Sequence, residues 1–99
     1  MYIVSLTYIA PLETIDALLP EHIEFLKAGY AEGVLMASGR KIPRNGGVIL
    51  ARAESREALD KILCRDPFYR EKAAEYEITE FIPTMTAPEL EAMKETLDG

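Results

Sequence analysis

The sequence predicts an α+β domain in the order β-α-β-β-α-β with a further C-terminal helix, its four strands forming one antiparallel sheet. Three observations carry that expectation. Short β-branched runs alternate with longer stretches of helical spacing. A turn-rich segment around Asn45-Gly46 joins two of the runs directly, as an antiparallel hairpin requires. The 99 residues suffice for one hydrophobic core, so residues 1–99 read as a single domain.

The first strand is Tyr2-Ile3-Val4-Ser5-Leu6-Thr7-Tyr8-Ile9, free of glycine and proline and closed by Ala10-Pro11. From Leu12 to Gly33 the spacing becomes helical, with Pro20 inside it. A proline clashes with the preceding turn in a helix interior but fits the first helical position, so a short helical piece is expected first, then a main helix opening at Pro20. His22, Phe25, Leu26, Gly29 and Tyr30 share one side of that helix, leaving Glu24, Lys27 and Glu32 to solvent. Gly33 ends it. Val34 to Ser38 starts the second strand, which runs through Gly39 to Ile42, and Gly47 to Ala53 returns as its partner. Ser55 caps the next helix, striped by Ala58, Leu59, Ile62 and Leu63. Asp66-Pro67 pairs a capping carboxylate with proline at the first position of a second short helix, reaching about Ala74. Tyr76 to Ile82 is the fourth strand, closed by Pro83. Thr86-Ala87-Pro88-Glu89 has capping-box spacing ahead of a C-terminal helix striped by Leu90, Met93 and Leu97.

This order is the ferredoxin-like split βαβ arrangement, with the helices on one face of the sheet. The runs Val34 to Ala37 and Val48 to Ala51 are apolar on both faces, whereas an antiparallel sheet with one wet face alternates. So short a chain has little left to cover the second face. The expected cover is another copy, giving a homodimer whose sheets face each other.

Composition narrows the function. An apolar share of 48% and a charged share of 28% describe a globular chain rather than a disordered one. Seventeen acidic against eleven basic side chains, a net charge of −6, repel a phosphate backbone, so no nucleic-acid partner is expected. No run approaches the roughly 20 apolar residues that cross a bilayer, and the N-terminus lacks a signal-like pattern, so a cytoplasmic protein without membrane contact is expected. Gly46-Gly47 lacks the spacing and following helix of a phosphate-binding loop, and no pair of His or Cys ligands is present, so no cofactor and no metal are expected. The lone Cys64 beside an apolar stripe reads as a buried structural thiol.

The sequence contains one histidine. With Pro20 at the first helical position, His22 occupies the third, where the helix dipole disfavours the imidazolium and favours a neutral, base-competent ring. Asp66 lies before the other crossover's last helix, and the two crossovers pack side by side; a carboxylate on one ring nitrogen would fix the tautomer and stabilise the cation formed on proton abstraction. An acid/base dyad and plain helix capping by Asp66 both fit these residues. Ser38, on one strand face with Val34 and Met36, either orients a substrate oxygen or satisfies local backbone. Arg40, Lys41 and Arg44 form a basic patch that could steer an anionic substrate, although a solvated hairpin tip, the commoner case, explains them as well.

The opening strand Tyr2-Ile3-Val4, His22 followed by Phe25-Leu26 and Gly33, Ala37-Ser38-Gly39, Gly46-Gly47-Val48, and Asp66-Pro67-Phe68 followed by Ile78 and Phe81 together resemble the YciI-like (YCII-related) family of the dimeric α/β-barrel superfamily, over about residues 2 to 83. The resemblance implies a ferredoxin-like dimer with an active-site cleft whose histidine and aspartate match His22 and Asp66. It includes a dehydrochlorinase acting on a chlorinated hydroxyquinol, and related folds include muconolactone isomerases and cofactor-free monooxygenases. Many members carry proline after the Ser-Gly pair, where this chain has Arg40.

The leading expectation is therefore a small homodimeric enzyme of the lyase or isomerase type, working without a cofactor on an oxygenated cyclic or carbonyl compound. His22 and Asp66 are its catalytic pair, and Ser38 and Arg40 its substrate contacts. The alternatives are a non-catalytic small-molecule-binding or interaction module, and a purely structural subunit.

Overall fold

Strand β1 (Tyr2–Tyr8) is the centre from which the sheet is built, pairing antiparallel with β3 (Gly46–Ala51) on one side and β4 (Ala74–Glu80) on the other. Strand β2 (Leu35–Arg40) pairs with β3 and completes the order β2-β3-β1-β4. Helix α1 (Leu12–Ala31) joins β1 to β2, while α2 (Arg56–Leu63) and the single turn α3 (Pro67–Arg70) join β3 to β4. This is the ferredoxin-like α+β arrangement. The structure, a computed structural model, describes residues 1–95.

Alternation along β1 sorts its side chains. Tyr2, Val4 and Leu6 are buried under the helices with Ile49 and Ala51 of β3, while Ile3 and Val48 remain 38% and 40% exposed on the opposite face. The core continues into Ile15 and Phe25 of α1, Leu59 and Leu63 of α2, and Phe68 of α3. Ser55 caps α2 by accepting the Ala58 amide at 3.1 Å, as its position predicts.

Several local expectations differ from what is observed. Helix α1 is continuous through Pro20 rather than starting there. Proline costs about 3 kcal/mol in a helix interior, but Ile15 before it and Phe25 after it are both buried on one stripe. Each such burial is worth about 1.5–3 kcal/mol, so core packing outweighs the lost backbone bond. The helix ends where Gly33 takes φ +77°, with Gly33 N–H and Val34 N–H donating back to the carbonyls of Tyr30 and Gly29.

The second difference lies in β2, where a bulge between Leu35 and Ala37 shifts the register. Leu35 opposite Ala51 and Ser38 opposite Ile49 therefore share the helix-facing side, so Ser38 is not aligned with Met36 as simple alternation predicts. The third is C-terminal: Pro88–Met93 forms a 3-10 segment with no buried residue, no capping side chain and non-helical Leu90, instead of an α-helix opened by a capping box. Leu97 lies outside the described residues. Cys64 is exposed, not buried, because it follows Leu63 one step off the apolar stripe.

Candidate active site

The cleft lies between α1 and the ends of β1, β2 and β3, with a volume of about 290 Å³. Leu19, His22, Ile23 and Leu26 of α1 form one wall. The floor is Leu6, Gly47 and Ile49, and the rim beyond it carries Ser38, Gly39, Arg40 and Arg44. Gly46 is required by the fold, since a Cβ there would meet the Leu6 carbonyl oxygen at 1.8 Å. Gly47 opposes Leu6 and leaves the space above the floor open.

His22 sits in the middle of α1, far from either helix end, so the dipole does not set its protonation as the position after Pro20 suggested. What fixes the ring is packing and one hydrogen bond. It stacks on Phe68 with centroids 4.1 Å apart and planes 15° off parallel, and its side chain is 12% exposed. Nδ1 lies 2.8 Å from Oδ1 of Asp66, which is fully buried. An ionised carboxylate only accepts, so Nδ1 carries the proton and donates. Nε2 is the nitrogen left to a ligand in the cleft.

Asp66 reconciles the two roles its sequence position allowed. Its Oδ1 accepts the Phe68 amide at 3.0 Å, which caps α3, and also accepts from His22. Its Oδ2 accepts the Tyr76 phenol at 2.5 Å. Pro67 at the first position of α3 fixes the turn that presents this carboxylate inward. Three donors on one carboxylate are what a buried charge needs to persist.

Tyr76 is the residue that sequence reading missed, having counted it only as the start of a strand. It stands on β4 opposite Leu6, on the helix-facing side, with its ring edge-on to Tyr69. Burial, and then the charge of Asp66 and the bond donated to it, push the Tyr76 phenol far above its ordinary value. It therefore remains a donor at all working pH. The available signal was alternation, since Tyr76 and Ile78 share the apolar face of β4.

The other expected residues divide. Ser38 lines the cleft, and its Oγ lies 2.6 Å from the Tyr30 hydroxyl. Arg40 lines the cleft without an ion pair or side-chain hydrogen bond among the described residues. Arg44 also lines it and donates to Asp16 at 2.5 Å, whereas Lys41 donates outside it to Thr7 at 3.2 Å. Among the described residues no group of three His, Cys, Asp or Glu side chains converges on a metal position. No described helix is long and apolar enough to cross a membrane.

The fold and this cleft define an α+β domain of ferredoxin-like topology with a histidine, an aspartate and a tyrosine hydrogen-bonded in series at one wall. The sequence matches the YCII-related domain over residues 1–82, and the chain belongs to that family. Its fold is similar to 5-chloro-2-hydroxyhydroquinone dehydrochlorinase (TftG) from Burkholderia phenoliruptrix, a structure in complex with 2,5-dihydroxybenzoquinone. That likeness has a TM-score of 0.68 at 15% identity, covering 82% of this chain and 93% of that one. No curated protein sequence matches.

Proposed function

We propose that this protein catalyses acid/base chemistry on a small oxygenated cyclic or carbonyl compound, without a cofactor, as an elimination such as dehydrochlorination or as an isomerisation. The observation that carries the reading is the 2.8 Å bond from His22 Nδ1 to a fully buried carboxylate, on a ring that lines an open cleft. His22 Nε2 takes a proton from a carbon next to an electron-withdrawing oxygen centre. The C–H electron pair becomes a new π bond; in an elimination the leaving group departs with its own bonding pair, and in an isomerisation the imidazolium returns the proton to another carbon. Asp66 holds the tautomer and stabilises the imidazolium, and Tyr76 holds Asp66. Ser38 and Arg40 contact the substrate. The likeness in fold to a dehydrochlorinase supports the compound class.

The working unit in this reading is a homodimer in the cytoplasm. Supporting it, Ile3 and Val48 expose apolar surface on the sheet face that the helices leave uncovered. The deciding experiment is His22→Gln, assayed with substituted hydroquinones and small lactones. The expected result is a loss of kcat/KM of about 10²- to 10⁴-fold. Turnover with an unchanged rate overturns the reading, and so does recovery of every bound compound unchanged after prolonged incubation with the native protein.

A further inference from the structure

Charge is distributed unevenly between the cleft and the rest of the molecule. The chain has seventeen carboxylates against eleven basic residues, yet the cleft lining contains two arginines and no aspartate or glutamate. One arginine is already compensated, since Asp16, outside the lining, accepts from Arg44 at 2.5 Å. Arg40 is not compensated by any described residue, whereas acidic side chains hold Arg56, Arg65 and Arg70 elsewhere on the surface. One unpaired guanidinium thus stands on the rim of a hollow whose α1 wall carries the imidazole. The hollow has the volume of a single ring-sized molecule, at the small end of the roughly 300–1,000 Å³ usual for ligand sites.

We propose that the substrate carries one fixed carboxylate, which Arg40 binds as a two-pronged guanidinium pair while the reacting carbon faces His22. This rests on the acid/base reading for the identity of the reacting end, and names the charge and the group at the other end. A carboxylate matches the planar fork of the guanidinium. A single negative charge matches the single uncompensated positive one. Arg44 adds field without being free to form a second fork, because Asp16 occupies part of it. Neutral analogues of equal shape leave Arg40 solvated and gain nothing from it.

The test is an amide-resonance titration of the full chain with benzoate and with its neutral isostere benzamide at low ionic strength. Benzoate is expected to shift Gly39, Gly47 and Val48 saturably and to bind about tenfold more tightly than benzamide. Arg40→Gln should weaken benzoate about tenfold and leave benzamide unchanged, while Arg40→Lys retains part of the preference. Arg40 is exposed and has no side-chain partner among the described residues, so both variants are expected to fold. Equal affinity for the two probes, native-like benzoate binding by Arg40→Gln, or no saturable shift with benzoate overturns the proposal. The titration reads charge recognition alone and His22→Gln turnover reads proton transfer, so either idea can fail while the other stands.

Discussion

Behind the α1 wall of the cleft, Asp66 is wholly buried and its carboxylate accepts from His22, Tyr76 and the Phe68 amide; at the opposite rim, Arg40 is unpaired among the described residues and Arg44 has one exposed aspartate for a partner. The two ends hold charge by different physics. A buried acceptor stripped of its partners costs about 1–3 kcal/mol per orphaned group, more when charged, so the first end is locked in one geometry. An exposed ion pair is worth about 0.2–1 kcal/mol, so the second end holds Arg44 only weakly and leaves Arg40 available. The difference suits a site in which one nitrogen must be placed within a few tenths of an ångström, and in which an anion needs only to be attracted and held.

Asp66→Asn should break the buried end most severely. The amide presents N–H to at least one of three groups that are themselves donors, and the imidazolium loses its counter-charge. We expect kcat/KM to fall on the order of 10³- to 10⁴-fold, and urea denaturation to show a loss of about 2–4 kcal/mol. Activity within threefold of the native protein would detach Asp66 from the chemistry, whatever the stability does.

Tyr76→Phe is a milder change at the same end, and pH sharpens it. Removing the phenol leaves Oδ2 of Asp66 without its bond, for an expected loss of about 1–2 kcal/mol near neutral pH. An unfolded tyrosine ionises near about pH 10, whereas the folded Tyr76 phenol is held far higher. Above about pH 10 the unfolded chain has released a proton that the folded chain retains, so the native protein loses stability at about 1.4 kcal/mol per pH unit from this group. The contribution is complete below that pH and drains away above it. The stability gap between the native protein and Tyr76→Phe should therefore narrow between about pH 10 and 11. A gap that stays constant in urea titrations across that interval would show that the phenol is not held by Asp66.

How far the sequence disclosed these two ends follows from which interactions are local. The strand and helix order was legible because each element carries its own period: β1 alternates, and α1 keeps a stripe from Ile15 to Gly29. Pro20 misled because local backbone preference predicts a break, while the decision belongs to the core contacts of Ile15 and Phe25 on either side of it. Asp66 was legible as a cap, since Pro67 follows it directly. Its contact with Tyr76, ten residues on, has no local signature, because it depends on how α3 turns into β4. Alternation grouped Ser38 with Val34 and Met36 rather than with Leu35, since the bulge at Leu35/Ala37 adds a residue that no composition pattern announces. The 3-10 segment at Pro88–Met93 had the spacing of a helix but buries none of its stripe, so nothing drives the spacing into an α-helix.

The smallest effect is the most discriminating for the rim, because its sign is opposite to the others. Asp16 is 58% exposed and touches the cleft only through Arg44, whose guanidinium it neutralises. Asp16→Asn removes a surface charge and an exposed pair, so global stability should change by less than about 1 kcal/mol. In the cleft the change adds a positive field where a carboxylate is held. Benzoate should then bind about two- to threefold more tightly at low salt, and the gain should fade as ionic strength approaches about 0.5 M, where the screening length shrinks to a few ångströms. Benzamide should be indifferent throughout. Weaker benzoate binding by Asp16→Asn would mean that Asp16 orders Arg44 for the ligand rather than competing with it, and that the rim, like the wall, works by fixed geometry.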